Sequence, residues 1–331
     1  MKALVTGGGG FLGSAIIRQL VARGDEVRSL SRSKHAALDE LGVKQICGDL
    51  SNPQDVVAAV ENCDIVFHVA AKAGFWGPYS SYHRINVVGT ENVLAACKKR
   101  GVARLVYTSS PSVVFTGRDH ENLDESAPYA TRFLAHYPHT KAQAEQLVLS
   151  ANGPELATVA LRPHLMWGPG DNHVLPRLID RARAGKLRIV GKAKNIVDCL
   201  YVDNAADAHL SAADRLRPGS PIAGKAYFLA QGEPVLLWDF INRLLACADI
   251  PPVTKRTHAK VAYAAGSVLE FAYRLLHLPG EPQMTRFLAR QLSSSHWFNL
   301  DAARRDLNYQ PRVSVEEGLR RVRASLQARR S

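Results

Sequence analysis

The sequence has few cysteines and no pattern among them. Five stand in 331 residues, at Cys47, Cys63, Cys97, Cys199 and Cys247, and no two form a Cys-x-x-Cys pair. An odd number of widely spaced thiols cannot all pair within one chain, and the spacing holds no zinc motif. A reduced, cytoplasmic protein without a metal site is expected. Long apolar runs are also missing. The one candidate, residues 260–278, is interrupted by Glu270 and Arg274 and falls short of the roughly 20 clean apolar residues of a membrane span. It reads as a buried or interfacial helix, core packing being the default. The opening residues 1–10 have too short an apolar run for a signal peptide and no small-residue cleavage site, so they read as a strand. Acidic residues are in deficit, 30 against 42 lysines and arginines, for a formal charge of +12. The basic residues are dispersed and form no nucleic-acid-binding module, so nucleic acid is not an expected partner. Their charge suits acidic ligands such as nucleotide phosphates or a carboxylate.

What is present is a large apolar fraction, 46%, enough for a sizeable core, with no repeat and no low-complexity linker. Up to about residue 165, short β-branched runs alternate with helical patterns. Strands are read at 3–7, 26–30, 43–47, 64–70, 104–110 and 157–163, and helices from near Phe11, Pro53, Ser81 and Tyr137. Such alternation predicts an α/β fold with a doubly wound parallel sheet of the Rossmann kind, its ligands at the carboxyl ends of the strands. Residues 1–165 then form a dinucleotide-binding lobe, to which segments near 195–230 return. Residues 166–331 form a smaller, mainly helical substrate lobe, with a helix near 176–184, a strand over 196–202 and a helix from Asn204.

The turn after the first strand carries Gly7, Gly10 and Gly13 in a GxxGxxG pattern, followed by Leu12, Ile16 and Leu20 at helical spacing. A tight turn that brings backbone N–H groups against a pyrophosphate excludes a Cβ, and a helix N-terminus favours the anion. Strand, turn and helix together point to dinucleotide binding, with Gly7, Gly10, Phe11, Leu12 and Gly13 as contacts. At the end of the second strand the acid that binds a ribose 2′-hydroxyl is missing: Ser31 stands there and Arg32 follows. NADP(H) is therefore expected over NAD(H), with Arg32, and Lys34 as a second contact, on the 2′-phosphate. Asp49 and Leu50 of "GDL", and Ala70 and Ala71 of "HVAA", fall at further strand ends along the same crevice, beside the adenine and ribose.

Tyr137 and Lys141 lie four residues apart, on one helix face. Thr108, Ser109 and Ser110 end a strand upstream. Carbonyl reduction needs a proton donor, a group that polarises the oxygen, and a geometry that aims hydride. A phenol with an ordinary pKa near 10 becomes competent when an ammonium stands one turn away. His136, His139 and His164 flank these residues without a zinc-ligand pattern and read as packing or orienting groups.

"TGGGGFLG", "GDL", "HVAA", "NVVGTENVL", "VYTSS", "YPHTK" and "LRPHLMWGPG" occur in the order and spacing found in extended short-chain dehydrogenases/reductases. Within them the chain resembles the 3β-hydroxysteroid dehydrogenase branch. "AKAGFWGPYSSYHRINVVGTENVLAAC" and "LRPHLMWGPGDNHVLPRLIDRARAGKLRIVG" are similar to the reductases of that branch that act on 2-alkyl-3-oxoalkanoic acids in bacterial long-chain olefin biosynthesis. The resemblance implies Tyr137 as catalytic acid, Lys141 on the nicotinamide ribose, and Ser110, with Ser109 as competitor, on the carbonyl. It also implies Asn86 as support for an active-site water or for helix geometry, and Pro163 to Leu165, Pro163 and Leu165 in particular, beside the nicotinamide. It brings an apolar acyl substrate, assembly with pathway enzymes and a homodimer. A hydroxysteroid or sterol dehydrogenase, a nucleotide-sugar epimerase or dehydratase, and a nucleotide-sensing regulator stand as alternatives.

Overall fold

The computed structural model describes residues 1–328. Its centre is a seven-stranded parallel sheet of β1 (Lys2–Thr6), β2 (Glu26–Ser31), β3 (Lys44–Cys47), β4 (Ile65–His68), β5 (Arg104–Thr108), β6 (Ala157–Pro163) and β7 (Lys225–Leu229), ordered β7-β6-β5-β4-β1-β2-β3. The chain leaves β1 towards β3 and comes back to β4 on the other side. The switch point therefore lies between β1 and β4, whose last residues Thr6 and His68 are paired. Ligands of such sheets bind in the crevice beyond that point.

Both faces of the sheet are covered, which is why its strands read as continuous apolar runs. On one face Ala3, Val5, Phe67, Val106 and Val159 pack against α1 (Phe11–Ala22) and a second helix that follows much later in the chain. On the other, Leu4, Val66, Leu105 and Tyr107 pack against α2 (Pro53–Ala59), α3 (Gly89–Arg100) and α4 (His136–Ser150). The late helix beside α1 is α5 (Val202–Arg215). Leu12, Ile16, Ile17 and Leu20 of α1 are all buried. Each is worth about 1.5–3 kcal/mol relative to exposure, so this face fixes the helix behind the glycine turn.

A second core, built around Trp167, Tyr201, Trp238, Phe240 and Leu244, holds α6 (Leu237–Cys247), α7 (Ala259–Leu275), α8 (Arg286–Gln291) and α9 (Val315–Ala328). Three expectations are corrected here. Residues 196–202 are not one strand: Ile196–Val197 and Leu200–Tyr201 join different sheets. Asp198 breaks the run, because its carboxylate accepts the Gly232 N–H (2.9 Å) and its carbonyl binds His164 Nδ1 (2.6 Å). The helix expected from Asn204 starts at Val202, and Asn204 is buried inside it, its side chain joined to Gln231 and to the main chain of Val313. Finally, α7 is not a fully packed core helix: it buries only Ala262, Gly266 and Glu270, leans Tyr263 on the second core, and turns Val261, Val268, Phe271 and Leu275 to solvent. No helix among the described residues is long and apolar enough to cross a membrane.

Candidate active site

The glycine turn sits at the switch point. Gly7 has φ +71°, and a Cβ there would lie 2.9 Å from Ala70 Cα; at Gly13 it would lie 2.2 Å from the Gly7 carbonyl oxygen. Gly8, outside the spaced pattern, is equally tight, 2.4 Å from Ile17 Cδ1 and from Ser29 Oγ. No side chain caps α1, whose N-cap is Gly10, so its first N–H groups are left for a ligand. This concave, uncapped backbone fits a pyrophosphate. Phe11 is the first helical residue and Leu12 is buried behind it.

Around the crevice, Ser31 turns its hydroxyl onto the Ser33 carbonyl (2.8 Å), and Arg32 is exposed. Asp49 accepts the N–H and the hydroxyl of Ser51, both at 2.8 Å, which hold its pKa below the ordinary carboxylate value; Arg84 and Arg32 add to this. Leu50 is buried, while Ala70 and Ala71 are half-buried. The Thr6 hydroxyl accepts the N–H groups of Val69 and Ala70 (3.1 Å each) and donates to His68 Nδ1 (2.8 Å). The direction follows from the far side of the ring. Thr90 donates to the Asn86 carbonyl (2.7 Å), so its oxygen accepts from His68 Nε2 (2.9 Å). Burial, with nearby Lys141, pushes His68 down to about 3, so the ring is neutral. Only its place at a strand end marked this histidine in the sequence.

Asn86 lies in a π-helical turn, Arg84–Val88, just before α3. Its side chain accepts the Lys72 N–H (2.7 Å) and donates to the Lys72 carbonyl (3.1 Å) and to Thr140 Oγ1 (3.0 Å). Asn86 thereby ties the loop after β4 to α4. Such wide turns accumulate at functional sites. Helix α4 is also bolted to the sheet by a buried ion pair, Arg162 Nη2 to Glu145 Oε1 at 2.6 Å, with the Tyr129 hydroxyl on the same carboxylate (2.7 Å).

Pro138 falls in the first turn of α4, where its missing N–H has no partner to lose. Tyr137 and Ser110 line one cavity of about 110 Å³ together with Pro163, His164 and Leu165. Burial raises the pKa of the Tyr137 phenol, and a hydrogen bond with Ser110 acts against it. Ser110 also pairs with Ser112 Oγ (2.9 Å). Ser109 does not line the cavity; its N–H bonds the Leu161 carbonyl (2.6 Å) and its buried Oγ has no partner. Lys141, one turn further along α4 from Tyr137, is buried, its Nζ donating to the Thr108 carbonyl at 2.5 Å, and burial pushes it down to about 7 against the pull of Glu145. Leu165 holds a left-handed φ of +37°, a strained conformation for leucine.

Among the flanking histidines, His164 is buried and joins His296 through Nε2 to Nδ1 (2.9 Å). His139 stacks on Phe133 at 5.0 Å, and His136 meets Tyr79 edge-on. Phe75, in the loop after β4, lines both this cavity and a neighbouring one of about 550 Å³, which Trp76, Phe133, Leu134 and Tyr273 also line. Phe75 packs on Phe287, from the far end of the chain, at 4.6 Å.

Residues 4–257, most of this architecture, match the 3-beta hydroxysteroid dehydrogenase/isomerase family. The chain belongs to that family. It is an oxidoreductase of the extended short-chain dehydrogenase/reductase type, as its motifs suggested. It is 54% identical over 327 residues to a 2-alkyl-3-oxoalkanoate reductase of Stenotrophomonas maltophilia (strain K279a), covering 98% of this chain and 99% of that one. It is 51% identical to a 2-alkyl-3-oxoalkanoate reductase of Shewanella oneidensis, covering 98% and 86%. Among solved structures, that of gox2253 superposes with a TM-score of 0.80 at 28% identity, covering 99% of this chain and 98% of that one.

Proposed function

We propose that the chain reduces the 3-oxo group of 2-alkyl-3-oxoalkanoic acids to the 3-hydroxy acid with NADPH, as a step of long-chain olefin biosynthesis. The observation that carries this reading is the joint placement of Tyr137 and Ser110 on one small cavity, with Lys141 buried one helical turn further on and an aromatic-lined chamber next door. The two relatives above half identity, both named for this activity, support it.

A bound reduced nicotinamide supplies the hydride. Tyr137 gives its proton to the forming alkoxide, and Ser110 donates a hydrogen bond to the same oxygen. Lys141 bears on the ribose and, by its charge, makes the phenol a better acid. Pro163 and Leu165 border the nicotinamide, and Gly7, Gly10, Phe11, Leu12 and Gly13 hold the pyrophosphate, with Asp49, Leu50, Ala70 and Ala71 beside the adenosine. Ser31 and Arg32, at a strand end without a carboxylate, favour the 2′-phosphate.

The oxidative direction gives a direct test, because 2-alkyl-3-hydroxy acids are the chemically stable partners. The purified protein should form NADPH from such an acid and NADP⁺, with a higher kcat/KM than with NAD⁺, and Arg32→Ala should reverse that preference. Oxidation of a 3β-hydroxysteroid with no reaction on the hydroxy acid would overturn the substrate assignment; equal use of both cofactors would overturn the cofactor assignment.

A further inference from the structure

Six of the eight large apolar side chains that stand exposed among the described residues fall in one stretch: Val261, Val268, Phe271, Leu275, Leu276 and Leu278, 40–67% exposed. The first four follow helical spacing along the outer side of α7, and the last two continue into the turn behind it. The helix is therefore inverted relative to an ordinary surface helix. Its inward side holds small residues, Ala262 and Gly266, and one acid, Glu270, which is closed off by Arg286 at 2.8 Å.

The exposed charge along this stretch is of one sign up to Glu281, which is paired with Arg177 at 3.2 Å. Over residues 254–280 the only acid is the buried Glu270, while Lys255, Arg256, Lys260 and Arg274 are all exposed. The stripe is also continuous with the mouth of the larger chamber, because Tyr273, Arg274 and His277 line that chamber from the same helix and the turn behind it. Arg274 sits over the Trp76 ring, 5.4 Å from its centroid, at this edge.

We propose that α7 is a monotopic docking surface for an anionic phospholipid bilayer, with Val261, Val268, Phe271 and Leu275 inserted among the acyl chains and the four cations on the headgroups. Apolar side chains bordered by lysine and arginine bind the interface in this way, without spanning it. A second copy of the chain fits less well, since it would set the same four cations against their own kind in a molecule of charge +12. In this position an acyl substrate passes from the bilayer into the chamber without crossing water. That consequence rests on the substrate reading above; the docking itself does not.

Flotation of the full chain with phosphatidylcholine vesicles, with and without phosphatidylglycerol, tests the docking without reading turnover. The protein should float with the anionic vesicles and lose that binding as salt rises. Val268→Glu and Phe271→Glu should each lower the partition by about tenfold or more, the loss expected for one large apolar side chain. Both positions are exposed and line neither cavity, so NADPH binding and turnover of a short, water-soluble substrate should stay unchanged and report an intact fold. Wild-type protein that stays unbound, equal flotation of wild type and variants, or flotation indifferent to phosphatidylglycerol would overturn the proposal. So would a dimer in sedimentation that the same variants dissociate, which would assign the stripe to a second copy.

Discussion

Lys141 donates a hydrogen bond from Nζ to the Thr108 carbonyl at 2.5 Å, while the same nitrogen sits 4.1 Å from the centroid of the Tyr107 ring. The ammonium is thus held at the end of β5, out of water, and its proton is lost at about 7 instead of the ordinary 10.5. NADPH affinity should decline as pH rises through about 7, and titrations of cofactor fluorescence would show it. The ligand-free fold has the opposite slope. Between about 7 and 9 the unfolded chain holds a proton on this lysine that the folded chain has released, so stability should rise with pH across that window; above about 9 the buried thiols of Cys63, Cys97, Cys199 and Cys247, raised by burial, work in the opposite sense. Lys141→Met should abolish both slopes; persistence of either in denaturation or binding data would count against this assignment.

Tyr137→Phe should lower kcat by roughly 10²–10⁴-fold while leaving cofactor binding intact, the range expected when a positioned proton donor is removed. Ser110→Ala should cost about 10²–10³-fold, as for loss of one donor to a developing oxyanion. Ser109→Ala should be nearly silent, because the buried Ser109 hydroxyl makes no hydrogen bond to lose. A larger effect at Ser109 than at Ser110 in steady-state kinetics would exchange their roles.

Glu145→Ala should destabilise the fold by roughly 3–5 kcal/mol, the cost of leaving a buried cation unpaired. The cation is Arg162, whose side chain is only 4% exposed beside Phe228. The double variant that joins Glu145→Leu with Arg162→Met should recover much of the loss in urea denaturation, because neither apolar side chain needs a partner. A double variant no better than the single one would show that the pair itself carries the stability.

Acid should weaken the fold before the carboxylates titrate. Burial lowers His68 to about 3, His209 and His296 to about 4, and His164 well below the ordinary 6.5. The unfolded chain takes these protons first, so stability is present above about 6.5 and is lost as pH falls towards 4. Asp198, pushed up by burial to about 6, works in the opposite sense and offsets part of the loss. The melting temperature should fall between about pH 7 and pH 5. A flat profile over that interval would contradict the buried neutral rings.

Local features of the site were legible because their physics is local. A strand, three spaced glycines and an apolar helix face lie within twenty residues, and Tyr137 and Lys141 need only one turn of helix to share a face. The contacts made by His68, Asn86 and the Arg162–Glu145 pair are not of this kind. They join positions from different strands and helices, and nothing in the neighbouring residues announces the partner. Helix α7 failed for another reason: its sequence is apolar nearly all round, so periodicity does not choose a face. Size chooses it. A Cβ at Gly266 would stand 2.7 Å from the main chain of Thr285, so only the side with Ala262 and Gly266 can come close, and the bulky side is left outside.

Phe75 belongs to the walls of both cavities, leaning on Phe287 with its ring 6.5 Å from that of Tyr137. A branched substrate whose two arms enter these two spaces is measured against one shared partition. Trimming that ring enlarges both rooms at once, so tolerance for a longer arm on one side brings looseness on the other, and selection on either arm is felt by its twin.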